Sequence, residues 1–338
     1  MDTPNIPSNY SRLIGRELEL QVRDLPKLLK FTQLSGEQLM QEDTHLTSRQ
    51  QIQILENGLQ LSEHEAFGLR LGKRLTPSTH GAMGFLASSS PNLLMALKAF
   101  QAFLPTRISF ARLTLDSSAS WLECHIYFDA ELSPEVHRAL SETCAVVFFE
   151  CAEFIIGRPL TEAHLSFMHK QPAYVEHYAD YLAGSYEFSA PHLRVKIPMA
   201  ACHIPNASAN HDSYALAMQQ CEKMLAQLNS QKHSFTYQVQ KMMLSHPLGT
   251  LSEEDAAATL FMSKRTLARR LEQEGTAYRQ IRDKILAQQA SSYLRNSDIS
   301  IDAIAALLNY HDNANFRRAF KRWFQVSPNE YRQQEMLK

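Results

Sequence analysis

Two short basic segments hold the residues best suited to recognition chemistry: Lys264-Arg265-Thr266-Leu267-Ala268-Arg269 and Asn313-Ala314-Asn315-Phe316-Arg317-Arg318-Ala319-Phe320-Lys321-Arg322. An Arg guanidinium presents a planar fork of donors that bridges the O6 and N7 of guanine. An Asn amide pairs with adenine in the same bidentate way, and each such pair is worth ~1 to 3 kcal/mol of discrimination between bases. On a helix Arg265 and Arg269 lie four apart and share a face, while Leu267 and Leu271 share another and face inward. Lys264 and Thr266 stand beside the arginine pair, and Ala268, with no hydrogen bond to give, suits contact with a thymine methyl. In the second segment Asn313, Asn315, Arg317 and Arg318 hold the matching positions. Lys321 and Arg322, with Arg332 beyond them, suit phosphate oxygens. The competing reading of the cluster is a solvated basic face on two helices.

Such residues need rigid helices to carry them, and the flanking sequence supplies the elements twice. Thr250 to Leu260 opens with hydroxyl caps and acids and continues Ala-rich, a good helix former. After a break at Phe261-Met262, Ser263 can cap a second helix, Lys264 to Glu272, stopped by Gly275. Downstream, Ser300 begins a helix whose Ile301, Ile304, Ala305 and Leu308 form one stripe; Asn309-Tyr310 makes the turn. Asp312 then caps a helix with Phe316, Ala319, Phe320 and Trp323 facing inward and the basic residues facing out. This is helix-turn-helix grammar, written twice. Residues 277–294 between the two predict one continuous helix of about 27 Å at 1.5 Å per residue. With the width of the two modules added, the reading helices come close to the ~34 Å repeat of B-DNA, so both can enter the major groove on one face of a duplex.

The charge distribution sets this region apart. The 338-residue chain carries a formal net charge of -1, from 34 Lys plus Arg against 35 Asp plus Glu. Residues 1–230 contain 18 basic and 24 acidic side chains, and residues 231–338 contain 16 and 11. An acidic domain over 1–230 and a basic domain over 231–338 follow, with a boundary at the polar run Leu228-Asn229-Ser230-Gln231-Lys232-His233-Ser234. Apolar residues at 44% make the composition globular, with no low-complexity or disordered signature. Five Cys, an odd number, in a chain that lacks a charged start followed by an apolar stretch point to a reducing cytoplasm. No window approaches the ~18 to 20 apolar residues of a membrane span.

The acidic domain reads as α+β. Leu25, Leu28, Leu29 and Leu34, then Ile52, Leu55, Leu59 and Leu61, recur near helical spacing, with Gly58, Gly68, Gly72 and Gly81 as punctuation. Alternation over Ile108 to Leu115 and Leu122 to Phe128 predicts a hairpin across Asp116 to Ser120. A long helix at 134–157, strands at 162–168 and 193–198 and a closing helix at 213–228 complete it. The Ser88-Ser89-Ser90-Pro91 run reads as the cap of the helix carrying Leu93 and Leu97. No G-x-S-x-G, G-x-G-x-x-G, phosphate loop or H-E-x-x-H occurs, so no catalytic group, cofactor or metal site is expected. His164 with His169, and Cys144 with Cys151, lack the second close pair a zinc site needs. Phe148, Phe149, Phe154, Tyr174, Tyr178, Tyr181, Tyr186 and Phe188 could line a small-molecule pocket or simply fill a core.

Ala257 to Tyr331 resembles the DNA-binding domain of the AraC/XylS family of transcription regulators, over Ser234 to Arg332 in all. The motifs are Met262-Ser263-Lys264-Arg265-Thr266-Leu267, Phe316 to Trp323, and Val326-Ser327-Pro328-Asn329-Glu330-Tyr331-Arg332. Through Phe67-Gly68-Leu69-Arg70-Leu71-Gly72 and His80-Gly81-Ala82-Met83-Gly84-Phe85, residues 10–225 resemble the arabinose-binding-like effector domain of one branch of that family. Three positions depart from the pattern. Phe261 replaces the usual Gly of the first turn, so a different turn geometry is expected there. Asn309 replaces Gly in the second, a milder change, and Leu286 stands where Arg often forms an ion pair.

The resemblance implies a cytoplasmic, sequence-specific regulator that activates transcription, partnered by double-stranded promoter DNA, RNA polymerase, a second copy of itself and a small effector in the acidic domain. It implies DNA contacts from Lys264, Arg265, Thr266, Arg269, Asn313, Asn315, Arg317, Arg318, Lys321 and Arg322. The effector is an amino acid or related metabolite by analogy, or an acyl chain by the apolar character of the domain. The alternative is an effector-independent regulator or repressor whose first domain serves only for oligomerisation.

Overall fold

The computed structural model describes residues 4–336 and divides into two compact units, residues 2–226 and 227–338. Residues 1–3 and 337–338, which the expected domains include, lie outside that description.

In the first unit a short antiparallel pair, β1 (Ile6–Pro7) and β2 (His45–Leu46), accompanies a run of helices. These are α1 (Asn9–Glu17), α2 (Leu25–Leu28), α3 (Gly36–Met40), α4 (Ser48–Leu61), α5 (Phe67–Arg74), α6 (Gly81–Ser88) and α7 (Leu93–Phe103). Capping boxes at Ser35/Gln38 and Thr47/Gln50 start α3 and α4. The hairpin follows as β3 (Ala111–Ser117) and β4 (Trp121–Phe128); β3 begins three residues later than expected because the chain turns at 109–110. Then come α8 (Pro134–Ile156), β5 (His164–Ser166), β6 (Ser185–Glu187), β7 (Leu193–Pro198) and α9 (Met199–Cys202). The sheet order is β3-β4-β7-β5-β6, antiparallel except between β5 and β6. β6, with three residues, was too short for its alternation to register in the sequence.

Alternation on β7 turns Leu193, Val195 and Ile197 inward, where with Leu122 and Cys124 of β4 they meet Ala145, Phe149 and Ala152 of α8. Burial of this apolar surface is the main stabilising term of the unit. On its other side α8 meets α5 at very close range. Gly68 and Gly72 stand one turn apart on α5, and a Cβ at Gly68 would come within 2.6 Å of the Ala139 carbonyl. The glycines therefore do not punctuate, as their number suggested; like Gly58 in α4, they lie inside helices and admit a neighbour. Thr143 Oγ1 donates to the Gly68 carbonyl at 2.9 Å across the gap. Glu142, also against Gly68, accepts from the hydroxyls of Tyr174 and Tyr178, both at 2.7 Å, and burial holds its carboxyl above the usual range.

Two further expectations change locally. Asn92, not the serine run, caps α7 by accepting from the Met95 amide; Ser88, Ser89 and Ser90 each donate to the carbonyl four residues back and finish α6. The polar run at 228–234 does not break the chain into two helical patterns before Ser234, because it holds no Gly or Pro. It extends α10 (His211–His233), and Ser234 caps the next helix.

The second unit is all helical: α11 (Phe235–Ser245), α12 (Glu253–Thr259), α13 (Lys264–Gln273), α14 (Tyr278–Asn296), α15 (Ile301–Leu307), α16 (Asn313–Phe324) and α17 (Pro328–Met336). Ser252, Ser263, Ser300 and Asp312 each accept from the amide three residues on, as the sequence predicts. Two cores form. Val239, Met243, Ala256, Leu267 and Leu271 close round Tyr278, Ile281 and Ile285 of α14. Ile301, Ile304, Leu308, Phe316 and Phe320 close round Leu286, Ala290 and Leu294 of the same helix. At 3.6 residues per turn the two stripes are centred about 150° apart, so the modules grip nearly opposite faces of one rod.

Gly68→Ala should cost about 1 to 3 kcal/mol of unfolding free energy through the α5–α8 contact, measured by urea titration. An unchanged midpoint would mean that the two helices can separate freely.

Candidate nucleic-acid interface and cavity

On α13, Leu267 and Leu271 are fully buried while Arg265, Ala268 and Arg269 are exposed. Among the described residues neither arginine has a hydrogen-bond or ion-pair partner within the protein, so both forks are open to an incoming acceptor. Lys264 differs: its Nζ lies 2.6 Å from Glu254 and 3.5 Å from Glu253, tying α13 back to α12 and pulling the Glu254 carboxyl below its ordinary range. Thr266 is half-buried, with its hydroxyl 2.9 Å from that of the cap Ser263.

The second head is internally bonded. Asn313 donates to Asp302 of α15 and accepts from Arg317 Nε at 3.0 Å. Asn315 donates to Asp312 and accepts from Arg318 Nη2, both at 2.6 Å. Lys321 is exposed, but Arg322 meets Asp283 of α14 at 2.9 Å, an ion pair between recognition and linker helices in a region where Leu286 itself is buried. Arg332 does not stand free for a phosphate as the sequence suggested: it is half-buried and donates to the Ile299 carbonyl at 2.7 Å, where α17 folds back on the module.

The turns of the two motifs share one geometry. Phe261 and Asn309 both adopt positive φ, 55° and 59°. Met262 N bonds the Ala257 carbonyl and Tyr310 N the Ala305 carbonyl, the Schellman closure in each case. The expectation of a different first turn is therefore overturned: closure of the motif and seating of Met262 against the first core outweigh the cost of a left-handed aromatic. The Phe261 ring is left 98% exposed.

The first unit contains a cavity of about 160 Å³ between α8, the helices α1, α4 and α7, and the β3–β4 face. Its lining includes Ile6, Leu55, Leu97, Leu113, Ile126 and Phe148, and Cys144 and Cys151 face it as well. Burial pushes both thiols up to about 12, which leaves them protonated and inert. All five cysteines are free. Tyr10, Gln51, His80 and Thr143 are the polar side chains on the wall. Tyr10 OH lies 2.9 Å from His80 Nδ1, and burial, aided by the Arg107 charge, lowers His80 to about 4. Of the aromatics singled out in the sequence only Phe148 lines this space; Phe149, Tyr174 and Tyr178 are core, and Phe154 is 47% exposed. Tyr10, Gln51 and His80 gave no signal, because their meeting crosses up to 70 positions and follows no local period. His164 sits beside Glu187 and His169 packs on Phe167, and no group of three or more metal-binding side chains forms among the described residues. Nor, among those residues, is any helix long and apolar enough to cross a membrane.

Paired helix-turn-helix modules on a shared helix, preceded by an α+β domain with an internal cavity, define a class of DNA-binding regulators. Comparison narrows the class: the family described as the arabinose-binding domain of AraC transcription regulators matches residues 23–206, and a helix-turn-helix domain family matches residues 256–334. The chain belongs to the AraC family of DNA-binding transcription regulators, with an arabinose-binding-like N-terminal domain. It is 32% identical to the ornithine utilization regulator of Pseudomonas aeruginosa, over 79% of this chain and 78% of that one. It is 25% identical to the regulator VirS of Mycobacterium tuberculosis, over 93% and 92% respectively. A crystal structure of the regulator CdpR from Pseudomonas aeruginosa aligns with 83% of this chain and 90% of that one, at 20% identity and a TM-score of 0.45. These relatives are named as regulators, not as enzymes.

Phe261→Gly should raise the unfolding free energy, read from urea titration, by about 0.5 to 1 kcal/mol, since Gly adopts positive φ without steric cost. A loss of stability would reveal a contact of the ring in solution. For His80, whose folded form takes a proton only near pH 4 against 6.5 when unfolded, stability is full above pH 6.5 and falls as the pH drops towards 4. Wild type should lose about 2 kcal/mol more than His80→Gln between pH 7 and 5 in urea titrations. Parallel curves would remove the buried, neutral state assigned to His80.

Proposed function

We propose that the protein is an effector-controlled activator in which α13 and α16 read successive major-groove segments and the N-terminal cavity holds the controlling molecule. The observation that carries the DNA reading is the pair of open guanidinium forks, Arg265 and Arg269, on the exposed face of a capped helix inside a helix-turn-helix. In this reading they bond base edges with no internal bond to give up. Asn313, Asn315, Arg317 and Arg318 must exchange the hydrogen bonds they make to one another and to Asp302 and Asp312, so the first head supplies the larger share of discrimination. Lys264, Thr266, Lys321 and Arg322 set register on phosphates, Lys264 and Arg322 by leaving Glu254 and Asp283.

The cavity favours effector control over the alternative in which the first domain only oligomerises. An effector acts by binding two conformations unequally, so its affinity must change when operator DNA is bound. A second copy of the chain and contact with RNA polymerase complete the reading; both rest on the family. The relative named for ornithine utilization covers most of this chain and points to an amino acid, but the uncharged, apolar wall of the cavity favours the apolar alternative.

Arg269→Ala should weaken operator binding by about tenfold and relax the preference at one base pair. Lys321→Ala should weaken all sequences about equally and lower the salt slope by about 1. Titration of both variants against operator and single-base variants at several salt concentrations checks this; equal losses on every sequence for both would refute the division of roles.

A further inference from the structure

We propose that the cavity of the N-terminal unit takes an uncharged, carbonyl-bearing apolar molecule of about six to nine non-hydrogen atoms, its oxygen held by His80 and Gln51. The proposal rests on the reading of this unit as an effector domain and names the chemical class.

Size comes first. A cavity near 150 Å³ with apolar walls admits benzene, and this one has about 160 Å³. Charge comes next. None of the lining residues is Asp, Glu, Lys or Arg. An ammonium or carboxylate brought into such a space would lose its hydration and find no counter-ion, so a zwitterionic amino acid is excluded from it. Arg107, the guanidinium beside Tyr10, is not on the wall; its Nη2 is committed to the Thr79 carbonyl at 3.0 Å.

The polar atoms that remain are donors. Ser11 Oγ donates to Gln51 Oε1 at 2.7 Å, which leaves the Gln51 amide nitrogen with no partner among the described residues. We assign Tyr10 as the donor to His80 Nδ1, because the Arg107 guanidinium beside Tyr10 draws the hydroxyl lone pairs towards its positive charge. A neutral imidazole that accepts at Nδ1 carries its hydrogen on Nε2. That nitrogen is buried and unpartnered, on a side chain 6% exposed. Thr143 spends its hydroxyl on Gly68. Two unmet donors in an apolar space call for a ligand with an acceptor, and a carbonyl is an acceptor without charge.

The test is ligand-observed saturation-transfer NMR on the full chain, with octan-2-one as the carbonyl probe, ethylbenzene as a probe lacking oxygen, and octanoate and ornithine as charged comparators. Octan-2-one should bind saturably and more tightly than octanoate. His80→Leu should weaken it about tenfold and leave ethylbenzene unchanged; Gln51→Leu serves if the histidine variant fails to fold. Cys151→Phe, which fills the cavity, should abolish binding of both neutral probes. Absence of saturable octan-2-one binding, binding indifferent to Cys151→Phe, or octanoate or ornithine binding that Cys151→Phe removes would each overturn the proposal. Operator titration separates it from the effector reading. Octan-2-one binding with unchanged operator affinity upholds the cavity assignment and counts against effector control; ornithine shifting operator affinity equally in wild type and Cys151→Phe, with octan-2-one not bound, does the reverse.

Discussion

The sharing of α14 between two hydrophobic cores is the constraint on which the DNA-reading unit depends. Tyr278, Ile281 and Ile285 belong to the first module, and Leu286, Ala290 and Leu294 to the second. Neither stripe can slide without exposing its own apolar surface, so the distance and rotation between modules are held by burial and not by a linker. Each recognition helix is then placed by its own cap and buried pair, which leaves the opposite face to the solvent. Asp283 with Arg322 adds a polar tie between α14 and α16.

The first unit is organised by close approach. Gly68 and Gly72 bring α5 against α8, and that contact sets Thr143, Leu140, Cys144 and Val147 of α8 round one end of the cavity. The polar network of Glu142 with Tyr174 and Tyr178 lies on the same helix but serves the core: its hydrogen bonds are made internally and its carboxyl is held protonation-prone by burial. The cavity keeps a different balance, with apolar walls and the buried His80 Nε2 left without a partner among the described residues.

The heads differ in readiness. Arg265 and Arg269 are open, whereas the Asn and Arg side chains of α16 are bonded to one another and to two aspartates. Under the proposed reading, the first head has no internal bond to break and the second must exchange its own. The strained Phe261 turn closes the first motif with the same positive φ and the same hydrogen bond that Asn309 gives the second.

The helix-turn-helix modules were legible in the sequence because their determinants are local: a hydroxyl or carboxylate cap, an apolar pair four apart, a glycine stop. The all-helical second unit, the α+β first unit and the exposed basic faces followed from those short-range rules. What only the tertiary structure decided lies at long range. The serine run lost α7 to Asn92, the glycines of α5 proved to be contacts and not breaks, and Lys264, Arg322 and Arg332 acquired partners that no spacing foretold. The cavity belongs to the same class: Tyr10, Gln51 and His80 are brought together by packing over tens of residues, and a periodicity that spans a few positions carries no information about which distant side chains will share a wall.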